Sequence, residues 1–301
     1  MKVDSVLILG AGLGTRMGPV GKSLPKLLWP VFEKSLLELQ VEFANSFSPK
    51  KIFINTHYEA KKIHDHIESK GLNIEVLHED ELLDIGGGIH NLAEKLNYNG
   101  TLLILNGDQF LFFDESTKDK LFKSSESHVA TLVGLEVDSK SGYNQLLLEK
   151  NILSEIAKPD GNKNYLTYSG ISLINLDKLS HSSGASKFFE TVANYKKERI
   201  AVIEPSNTEY CDFGTANRYL ESMRSVLNGE FPKMYRFLVE GDSLLRSKIR
   251  ENFCYNSSGD RYSINLSDGS VVGNGSIVIG EPLLEYPESS IVFGDLVSKT
   301  T

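Results

Sequence analysis

The stretch SVLILGAGLGTRMGPVGKSLPK, residues 5–26, places a glycine-rich loop directly after a short apolar run. The run SVLIL (5–9) has the length and composition of a strand that is buried on both faces of a sheet. A glycine loop at the end of such a strand, with basic residues behind it, is typical of a phosphate site in an α/β protein. The stretch therefore predicts a largely parallel sheet, and it raises the question of which phosphate the loop binds.

Strand-like runs and amphipathic segments alternate over the next hundred residues. The apolar runs are KIFIN (51–55), NIEVL (73–77) and TLLIL (101–105), and the segments with helical length and amphipathicity are 36–47, 58–70 and 87–96. This alternation is typical of repeated βα units. Residues 128–174 are rich in strand-forming runs, and residues 186–227 return to a helix, strand, helix pattern. We predict an α/β, Rossmann-like fold: a mostly parallel mixed sheet flanked by helices.

The last part of the chain has a different character, and we place a boundary between residues 1–228 and 229–301. A predicted helix near 235–249 is followed by SDGSVVGNGSIVIGEPLLEYPESSIVFGD (267–295), which alternates glycine, serine and β-branched residues. Two interpretations stay open: a few terminal β-strands, which the pattern favours, or a short β-helix-like piece. This β-rich extension is also the candidate surface for a homo-oligomer.

Composition excludes several classes of protein. The 301 residues are 40% hydrophobic and 24% charged, as in an ordinary globular chain, and the formal net charge is −8. Nucleic acid and anionic membranes need a basic face, so neither is expected as a partner. Two cysteines are too few for a disulfide framework, and no apolar run is long enough for a signal peptide or a membrane span. A cytoplasmic location is the expectation.

Three kinds of phosphate loop compete for the opening stretch. A dinucleotide fingerprint needs G-x-G-x-x-G opening a helix, but Thr15 stands where the third glycine should be. A P-loop needs a glycine at the position of Arg16, and Pro25 interrupts any long helix behind either motif. The remaining interpretation is an extended loop whose backbone amides face an anion, with Arg16 and Lys26 as fixed cations beside it.

The same stretch resembles the N-terminal signature of the sugar-1-phosphate nucleotidylyltransferases, in which G-x-G-T-R-x-x-P is followed by P-K. The further motifs of that family appear in order: LLDIGGGI (82–89), LNGD (105–108), AKPD (157–160), YSGISLI (168–174) and YCDFGT (210–215). The resemblance covers about residues 3–227. The glycine-rich motif and the YSGI strand are most similar to the branch of mannose-1-phosphate guanylyltransferases and N-acetylmuramate-1-phosphate uridylyltransferases.

The resemblance implies an enzyme that joins a nucleoside triphosphate and a sugar-1-phosphate. An oxygen of the sugar phosphate attacks the α-phosphorus, and pyrophosphate leaves in line with the attack. Two polyanions must meet, so the chemistry needs a divalent cation and basic side chains rather than a nucleophilic residue. The implied products are an NDP-sugar and pyrophosphate, the implied cofactor is Mg²⁺, and the implied fold is that of the nucleotide-diphospho-sugar transferases.

The matched motifs carry family roles to positions of this chain. The implied catalytic residues are Arg16, Lys26 and Asp108; the nucleotide-binding residues are Gly10, Ala11, Gly12, Gly14, Thr15, Gly86, Gly87 and Gly88; the sugar-phosphate-binding residues are Lys158, Gly170 and Asp212; and the metal ligands are Asp108 and Asp212. Arg16 is expected to clamp the β- and γ-phosphates, and Lys26 to reach the transferred phosphate. Gly86 to Gly88 are predicted to form a loop that faces the nucleotide.

Two positions depart from the family pattern. Ala157 stands where a glutamate usually precedes the lysine of AKPD, and Ile85 stands where threonine is common. The first departure puts one sugar contact in doubt and mildly favours transfer to a non-sugar phosphate such as phosphocholine. A catalytically silent, regulatory homologue that binds sugar nucleotides is the second alternative. The sequence identifies neither the base nor the sugar.

Overall fold

A nine-stranded mixed sheet forms the centre of the molecule. The structure, a computed structural model, describes residues 3–240, 254–256, 261–265, 271–273, 276–279 and 290–300. The strands of the first 240 residues are β1 (Ser5–Leu9), β2 (Pro30–Val31), β3 (Lys34–Ser35), β4 (Lys51–Thr56), β5 (Glu75–His78), β6 (Thr101–Asn106), β7 (Gln109–Phe112), β8 (Ala130–Val137), β9 (Gln145–Glu149), β10 (Ile152–Ala157), β11 (Tyr165–Asn175), β12 (Ala201–Ile203) and β13 (Glu209–Asp212).

The order across the central sheet is β5-β4-β1-β6-β11-β8-β12-β10-β9. The first four strands are parallel to one another, β8 and β12 are parallel, and within this sheet β11 and β10 run against the other strands. The predicted mostly parallel mixed sheet is therefore confirmed. The strand-rich region 128–174 adds four strands to this sheet.

Helices cover both faces of the sheet. They are α1 (Gly18–Ser23), α2 (Leu36–Asn45), α3 (Ala60–Lys70), α4 (Asp84–Lys95), α5 (Glu115–Ser125), α6 (Phe188–Thr191), α7 (Ala216–Leu227) and α8 (Pro232–Val239). Successive side chains of a strand point to opposite faces, and β1 shows this directly. Val6 and Ile8 belong to one apolar core, and Leu7 belongs to the other. The described residues contain no helix with the length and apolar character required to cross a membrane.

A short ribbon outside the central sheet matters for the site. Region 186–227 contains two strands where the sequence predicted one, and the second of them, β13, pairs antiparallel with β7. In this pairing Asp212 lies opposite Gln109, one residue after Asp108. The ribbon therefore brings two distant sequence motifs to the same end of the sheet.

The C-terminal region forms a second, six-stranded sheet. Its strands are β14 (Cys254–Asn256), β15 (Arg261–Asn265), β16 (Val271–Gly273), β17 (Ser276–Ile279), β18 (Ser290–Phe293) and β19 (Leu296–Lys299). The pairs are antiparallel except β17 with β18, which agrees with terminal strands rather than with the parallel coils of a β-helix. The helix predicted near 235–249 corresponds to α8, which ends at Val239, and residues 241–249 lie outside the described part. Parts of the glycine- and serine-rich segment 267–295 also lie outside it.

The C-terminal elements share a core with the rest of the molecule. Met234 and Leu238 of α8, Ile277 of β17 and Ile291 of β18 are buried in the same apolar cluster as Val6 of β1. Burial of apolar side chains is the main source of stability, so these contacts join the extension to residues 1–228. The boundary near residue 228 stays a prediction.

A capping box begins α2 and links it to α3. Ser35 and Glu38 exchange hydrogen bonds, with Glu38 N donating to Ser35 Oγ at 3.1 Å and Ser35 N donating to Glu38 Oε2 at 2.9 Å. His66 Nε2 of α3 lies 3.3 Å from the same carboxylate. Burial alone would raise the pKa of Glu38, but hydrogen bonds with His66 and Ser35 outweigh it and lower the pKa to about 2.

We expect Glu38→Gln to reduce the free energy of unfolding by about 1–3 kcal/mol at pH 7. Because the pKa in the folded state is lowered, the stabilisation is fully present above the unfolded pKa, near 4.5, and is lost as the pH falls towards about 2. Urea unfolding of both proteins at pH 7 and at pH 3 measures the difference. A gap between wild type and variant that does not narrow at pH 3 would contradict this account.

Candidate active site

A cavity of about 590 Å³ lies at the carboxyl ends of the central strands. Its wall contains the residues that directly follow β1 and β6, together with Asn55 near the end of β4. The carboxyl ends of parallel strands are where open α/β sheets bind their ligands. Among the residues singled out from the sequence, those lining it are Gly10, Ala11, Gly12, Gly14, Arg16, Lys26 and Asp108.

The glycines of the glycine loop, residues 10–14, have different roles. A Cβ on Gly10 would lie 2.7 Å from the carbonyl oxygen of Asn55, and Gly10 N donates to Asn55 Oδ1 at 2.8 Å. Gly14 has a φ of 64°, a left-handed conformation that glycine adopts without strain. A Cβ on Gly12 would meet nothing within 4 Å, so the backbone there is open to an approaching ligand.

The chain behind the loop is helical rather than extended. Thr15 opens a 3₁₀ turn, Thr15–Met17, and α1 follows with Pro19 in its first turn, where proline is tolerated. The predicted extended loop therefore spans residues 10–14 only, and Arg16 and Lys26 lie in short helical turns behind it. Thr15 is not among the residues that line the cavity, whereas Arg16 is. The turn thus carries the arginine side chain to the cavity wall.

Lys26 and Asp108 are in direct contact. The Lys26 ammonium donates to Asp108 Oδ2, and both groups line the cavity. Lys26 follows Pro25 in a 3₁₀ turn, and Asp108 follows β6 after Gly107. A Cβ on Gly107 would lie 2.6 Å from the carbonyl oxygen of Leu9, so the glycine permits this close approach of β6 and β1.

The two predicted metal carboxylates, those of Asp108 and Asp212, meet at Gly214. Gly214 N donates to Asp212 Oδ1 at 2.7 Å, and Phe213 N donates to the Asp108 carbonyl at 2.8 Å. A Cβ on Gly214 would lie 2.8 Å from Asp212 Oδ1 and 3.0 Å from Asp108 Oδ2. One oxygen of each carboxylate thus lies against the same glycine, and carboxylate oxygens are the ligands that Mg²⁺ takes in proteins together with water and phosphate.

Arg218 and Tyr143 surround the second carboxylate, and sequence reasoning missed both. Arg218 Nη1 lies 2.6 Å from Asp212 Oδ2, Tyr143 donates its hydroxyl to the same oxygen, and the guanidinium lies 4.8 Å from the Tyr143 ring centre. Burial and the negative charge of Asp212 raise the pKa of Tyr143 to about 12. The phenol therefore stays a neutral donor at neutral pH. Only the short spacing from Asp212 to Arg218 hinted at this group in the sequence.

Asn55 and Glu79 form a second pair that sequence reasoning missed. Asn55 Nδ2 donates to Glu79 Oε1 at 2.7 Å, and Leu83 N donates to Glu79 Oε2 at 3.2 Å. Both side chains are buried, and both residues line the cavity. Since Asn55 also accepts from Gly10 N, this chain of hydrogen bonds joins the glycine loop to the segment before α4. Local sequence around KIFIN and LLDIGGGI carries no signal of the pairing.

Gly86 to Gly88 are helical, so the prediction of a loop there is wrong. All three lie in the first turns of α4 and are buried. A Cβ on Gly86 would lie 2.6 Å from the carbonyl oxygen of Ser186, and one on Gly87 would lie 2.5 Å from that of Gly184. Gly86 and Gly87 therefore serve close packing of α4 against residues 184–187, and a Cβ on Gly88 would lie 2.8 Å from Glu79 Oε1. The cavity is lined instead by the preceding Asp84 and Ile85.

An apolar rim surrounds the mouth of the cavity. In the described part of the chain, four large hydrophobic side chains are exposed, and all four line this cavity: Leu13, Tyr58, Leu82 and Ile85. Exposed apolar groups gathered in one place mark a binding surface. A flat, partly apolar group such as a nucleobase would cover this rim.

The two remaining predicted sugar-phosphate residues do not line the cavity. Gly170 has a φ of 86° at an irregularity of β11, and a Cβ there would overlap the side chain of Asn106, which does line it. The glycine thus has a packing reason beside the site. Lys158 follows β10 directly and is exposed, outside the residues that form the cavity wall.

A family model decides the general class of the protein. The model described as Nucleotidyl transferase matches residues 5–229. The chain belongs to the nucleotidyl transferase family. The matched range contains every residue of the cavity wall.

Curated relatives of this nucleotidyl transferase family agree with that assignment. The chain is 29% identical over 184 residues to the bifunctional protein GlmU of Prochlorococcus marinus, a match over 58% of this chain and 40% of the relative. It is 24% identical over 233 residues to a Sulfolobus acidocaldarius protein named provisionally as a mannose-1-phosphate guanyltransferase, over 76% of this chain and 65% of the relative. The chain thus matches about two fifths to two thirds of the length of these relatives.

Solved structures show the same fold. HddC from Yersinia pseudotuberculosis, complexed with GMP-PN, superposes with a TM-score of 0.61 at 22% identity, over 74% of this chain and 99% of that one. A UDP-glucose pyrophosphorylase complexed with UDP-glucose gives a TM-score of 0.60 at 17% identity, over 75% and 99%. These likenesses confirm the nucleotide-diphospho-sugar transferase fold. They also show that about a quarter of this chain extends beyond such structures.

Proposed function

We propose that this chain is a Mg²⁺-dependent nucleotidylyltransferase that forms an NDP-sugar and pyrophosphate from a nucleoside triphosphate and a sugar-1-phosphate. The observation that carries the proposal is the convergence of Arg16, Lys26 and Asp108 on one cavity, with Asp212 meeting Asp108 at Gly214. A phosphoryl-transfer site needs this combination of cations and hard oxygen ligands, and it needs no nucleophilic side chain. A homologue without catalytic activity would not require all four of these charged side chains.

The glycine loop and Arg16 hold the triphosphate. The open backbone at Gly12 can approach phosphate oxygens, and Arg16 is placed beside it to clamp the β- and γ-phosphates. Negative charge gathers on these phosphates as pyrophosphate leaves, so the arginine acts most strongly in the transition state. The apolar rim of Leu13, Tyr58, Leu82 and Ile85 packs against the nucleoside.

Lys26 and Asp108 act at the transferred phosphate. The ion pair fixes the lysine ammonium at the cavity wall, where it orients the α-phosphate for attack by the sugar phosphate. The carboxylates of Asp108 and Asp212 would hold Mg²⁺, which when bound would supply positive charge to the phosphate oxygens. Lys26 and Arg218 already neutralise much of the negative charge of these carboxylates. We therefore expect Mg²⁺ to bind mainly when a triphosphate supplies additional negative charge.

A substrate panel tests the proposal. The four common nucleoside triphosphates are each combined with a set of hexose and N-acetylhexosamine 1-phosphates and with phosphocholine, and pyrophosphate release is recorded. We expect release that depends on one triphosphate, one sugar-1-phosphate and Mg²⁺. Release with phosphocholine alone would establish the non-sugar alternative. Nucleotide or sugar-nucleotide binding without release under any combination would establish a silent, ligand-binding homologue.

Lys158 is proposed to bind the incoming sugar phosphate, although in this structure it lies outside the cavity wall. We expect Lys158→Ala to raise the KM for the sugar-1-phosphate about tenfold, since a lost phosphate contact in the ground state acts on that substrate alone. Steady-state kinetics in which each substrate is varied separately measure the effect. Lys163→Ala, an exposed lysine of the same loop, is the matched control. An effect of Lys158→Ala on the triphosphate only would contradict this role.

A further inference from the structure

The strands β18 and β19, here called the C-terminal hairpin, lie against the helix that follows Arg16. Ser298 of β19 donates from Oγ to the carbonyl of Met17 at 2.7 Å and accepts from Val20 N at 3.1 Å. The serine is only 1% exposed, so water cannot replace these bonds without a rearrangement. The Ser298 side chain thus connects the residue before α1, Met17, to Val20 in the first turn of α1.

The fit between hairpin and helix is close. Gly18 has a φ of 69°, and a Cβ at this position would lie 2.7 Å from Ser298 Oγ. Met17 and Val20 are buried in the same apolar cluster as Ile291 of the hairpin. Protein interiors of this kind are packed tightly and transmit small displacements.

The contact acts on the turn that carries Arg16. Met17 N donates to the Gly14 carbonyl at 2.9 Å, and the Met17 carbonyl accepts from Ser298. The segment from Gly14 to Gly18 is therefore held at both ends, and both glycines have a positive φ, a conformation that glycine adopts without strain. No residue of the described hairpin lines the cavity, so its effect on a ligand is indirect.

We propose that Ser298 is a positioning residue for the triphosphate loop, through which the C-terminal hairpin and nucleotide binding are coupled. The inference rests on the proposed function for its kinetic consequences and on the hydrogen bonds of Ser298 for its physical cause. With Ser298 in place, the loop is ordered before the nucleotide arrives, and binding does not have to supply the cost of ordering it. Coupling is reciprocal, so a nucleotide in the cavity also stabilises the hairpin.

Ser298→Ala removes both hydrogen bonds, and the buried Val20 amide thereby loses its acceptor. We expect the kcat/KM for the triphosphate to fall about tenfold, while the KM for the sugar-1-phosphate changes less than about twofold. Ser125→Ala is the matched control, because Ser125 is also buried and donates to a helix carbonyl, in α5, at 2.7 Å. This control should leave both kinetic constants unchanged.

Hydrogen exchange gives a readout that does not depend on turnover. Wild-type protein is compared with and without each of ATP, CTP, GTP and UTP in the presence of Mg²⁺, and exchange is followed in residues 14–23 and 290–300. We expect one triphosphate to slow exchange in both segments. In Ser298→Ala the same triphosphate should slow exchange in residues 14–23 and leave 290–300 unaffected.

Three results would overturn the inference. The first is protection of residues 14–23 in the wild type without protection of residues 290–300. The second is a kinetic loss in Ser298→Ala that is equal for the triphosphate and the sugar-1-phosphate, or no loss for either substrate. The third is that none of the four triphosphates protects either segment. Coupled protection in a protein that catalyses no transfer would overturn the proposed function and leave this inference standing, so the two failures are distinguishable.

Discussion

Asp108→Asn is expected to lower kcat by about 10³-fold or more, with kcat/KM falling in parallel. A neutral amide cannot replace the carboxylate that pairs with Lys26 and faces Asp212 across Gly214, so the charge that would hold a divalent cation is lost. Pyrophosphate release measures kcat, and calorimetry with Mn²⁺ in the presence of the triphosphate measures the loss of metal binding independently of turnover.

The control for Asp108 is Asp80→Asn, which removes a fully exposed carboxylate that does not line the cavity. It should have wild-type kinetics. Wild-type protein in excess chelator should lose turnover and regain it when Mg²⁺ is added. Full turnover by Asp108→Asn, or by the wild type in chelator, would show that the aspartate pair is not a metal site for the reaction.

Arg16→Ala is expected to reduce kcat by about 10³-fold, by analogy with arginine side chains that stabilise phosphoryl-transfer transition states. The charge on the leaving pyrophosphate grows as the bond breaks, so losing the clamp lowers kcat and kcat/KM together. Arg16→Lys should recover only part of the rate, since an ammonium cannot donate in the forked geometry of a guanidinium.

Lys22→Ala is the matched control for Arg16, because Lys22 is an exposed cation of α1 that does not line the cavity. Its removal should change the rate by less than about twofold, the effect of a screened surface charge. A result in which Arg16→Ala weakens only the sugar-1-phosphate, or in which Lys22→Ala has an equal effect, would contradict the assignment of Arg16 to the triphosphate.

The sequence correctly predicted strands that are determined by short apolar runs. The run SVLIL is β1 with the predicted bounds, and TLLIL is β6 extended by one residue to Asn106. Arg16, Lys26 and Asp108 could be placed at one edge because each follows a buried strand or belongs to the glycine signature. Parallel strands bring their carboxyl ends together whatever the details of packing.

The surroundings of Asp212 could not be predicted in this way. Arg218 reaches Tyr143 across 75 residues of sequence, and both side chains contact Asp212, which lies at the end of β13. The family resemblance predicted that Gly86 to Gly88 form a loop facing the nucleotide, whereas they lie in α4, where Gly86 and Gly87 permit tight packing against residues 184–187. Such contacts are tertiary, and apart from the short spacing between Asp212 and Arg218 the local sequence carries no trace of them.

The C-terminal region also makes tertiary contacts that its local sequence did not predict. Its alternation of glycine, serine and β-branched residues correctly predicted strands, and it suggested an appendage with its own surface. The pairing of Ser298 with Met17 and Val20 instead links the end of the chain to its beginning, across 281 residues in the first case. The homo-oligomer predicted for this surface stays a prediction.

An isotope experiment tests the central claim most directly. The sugar-1-phosphate is prepared with ¹⁸O in its phosphate oxygens and incubated with the triphosphate that the panel selects, and the products are examined by ³¹P NMR. The account predicts ¹⁸O in the oxygen that bridges the two phosphorus atoms of an NDP-sugar, and unlabelled pyrophosphate. Label in pyrophosphate or in free phosphate, or the absence of an NDP-sugar with every substrate pair, would contradict it.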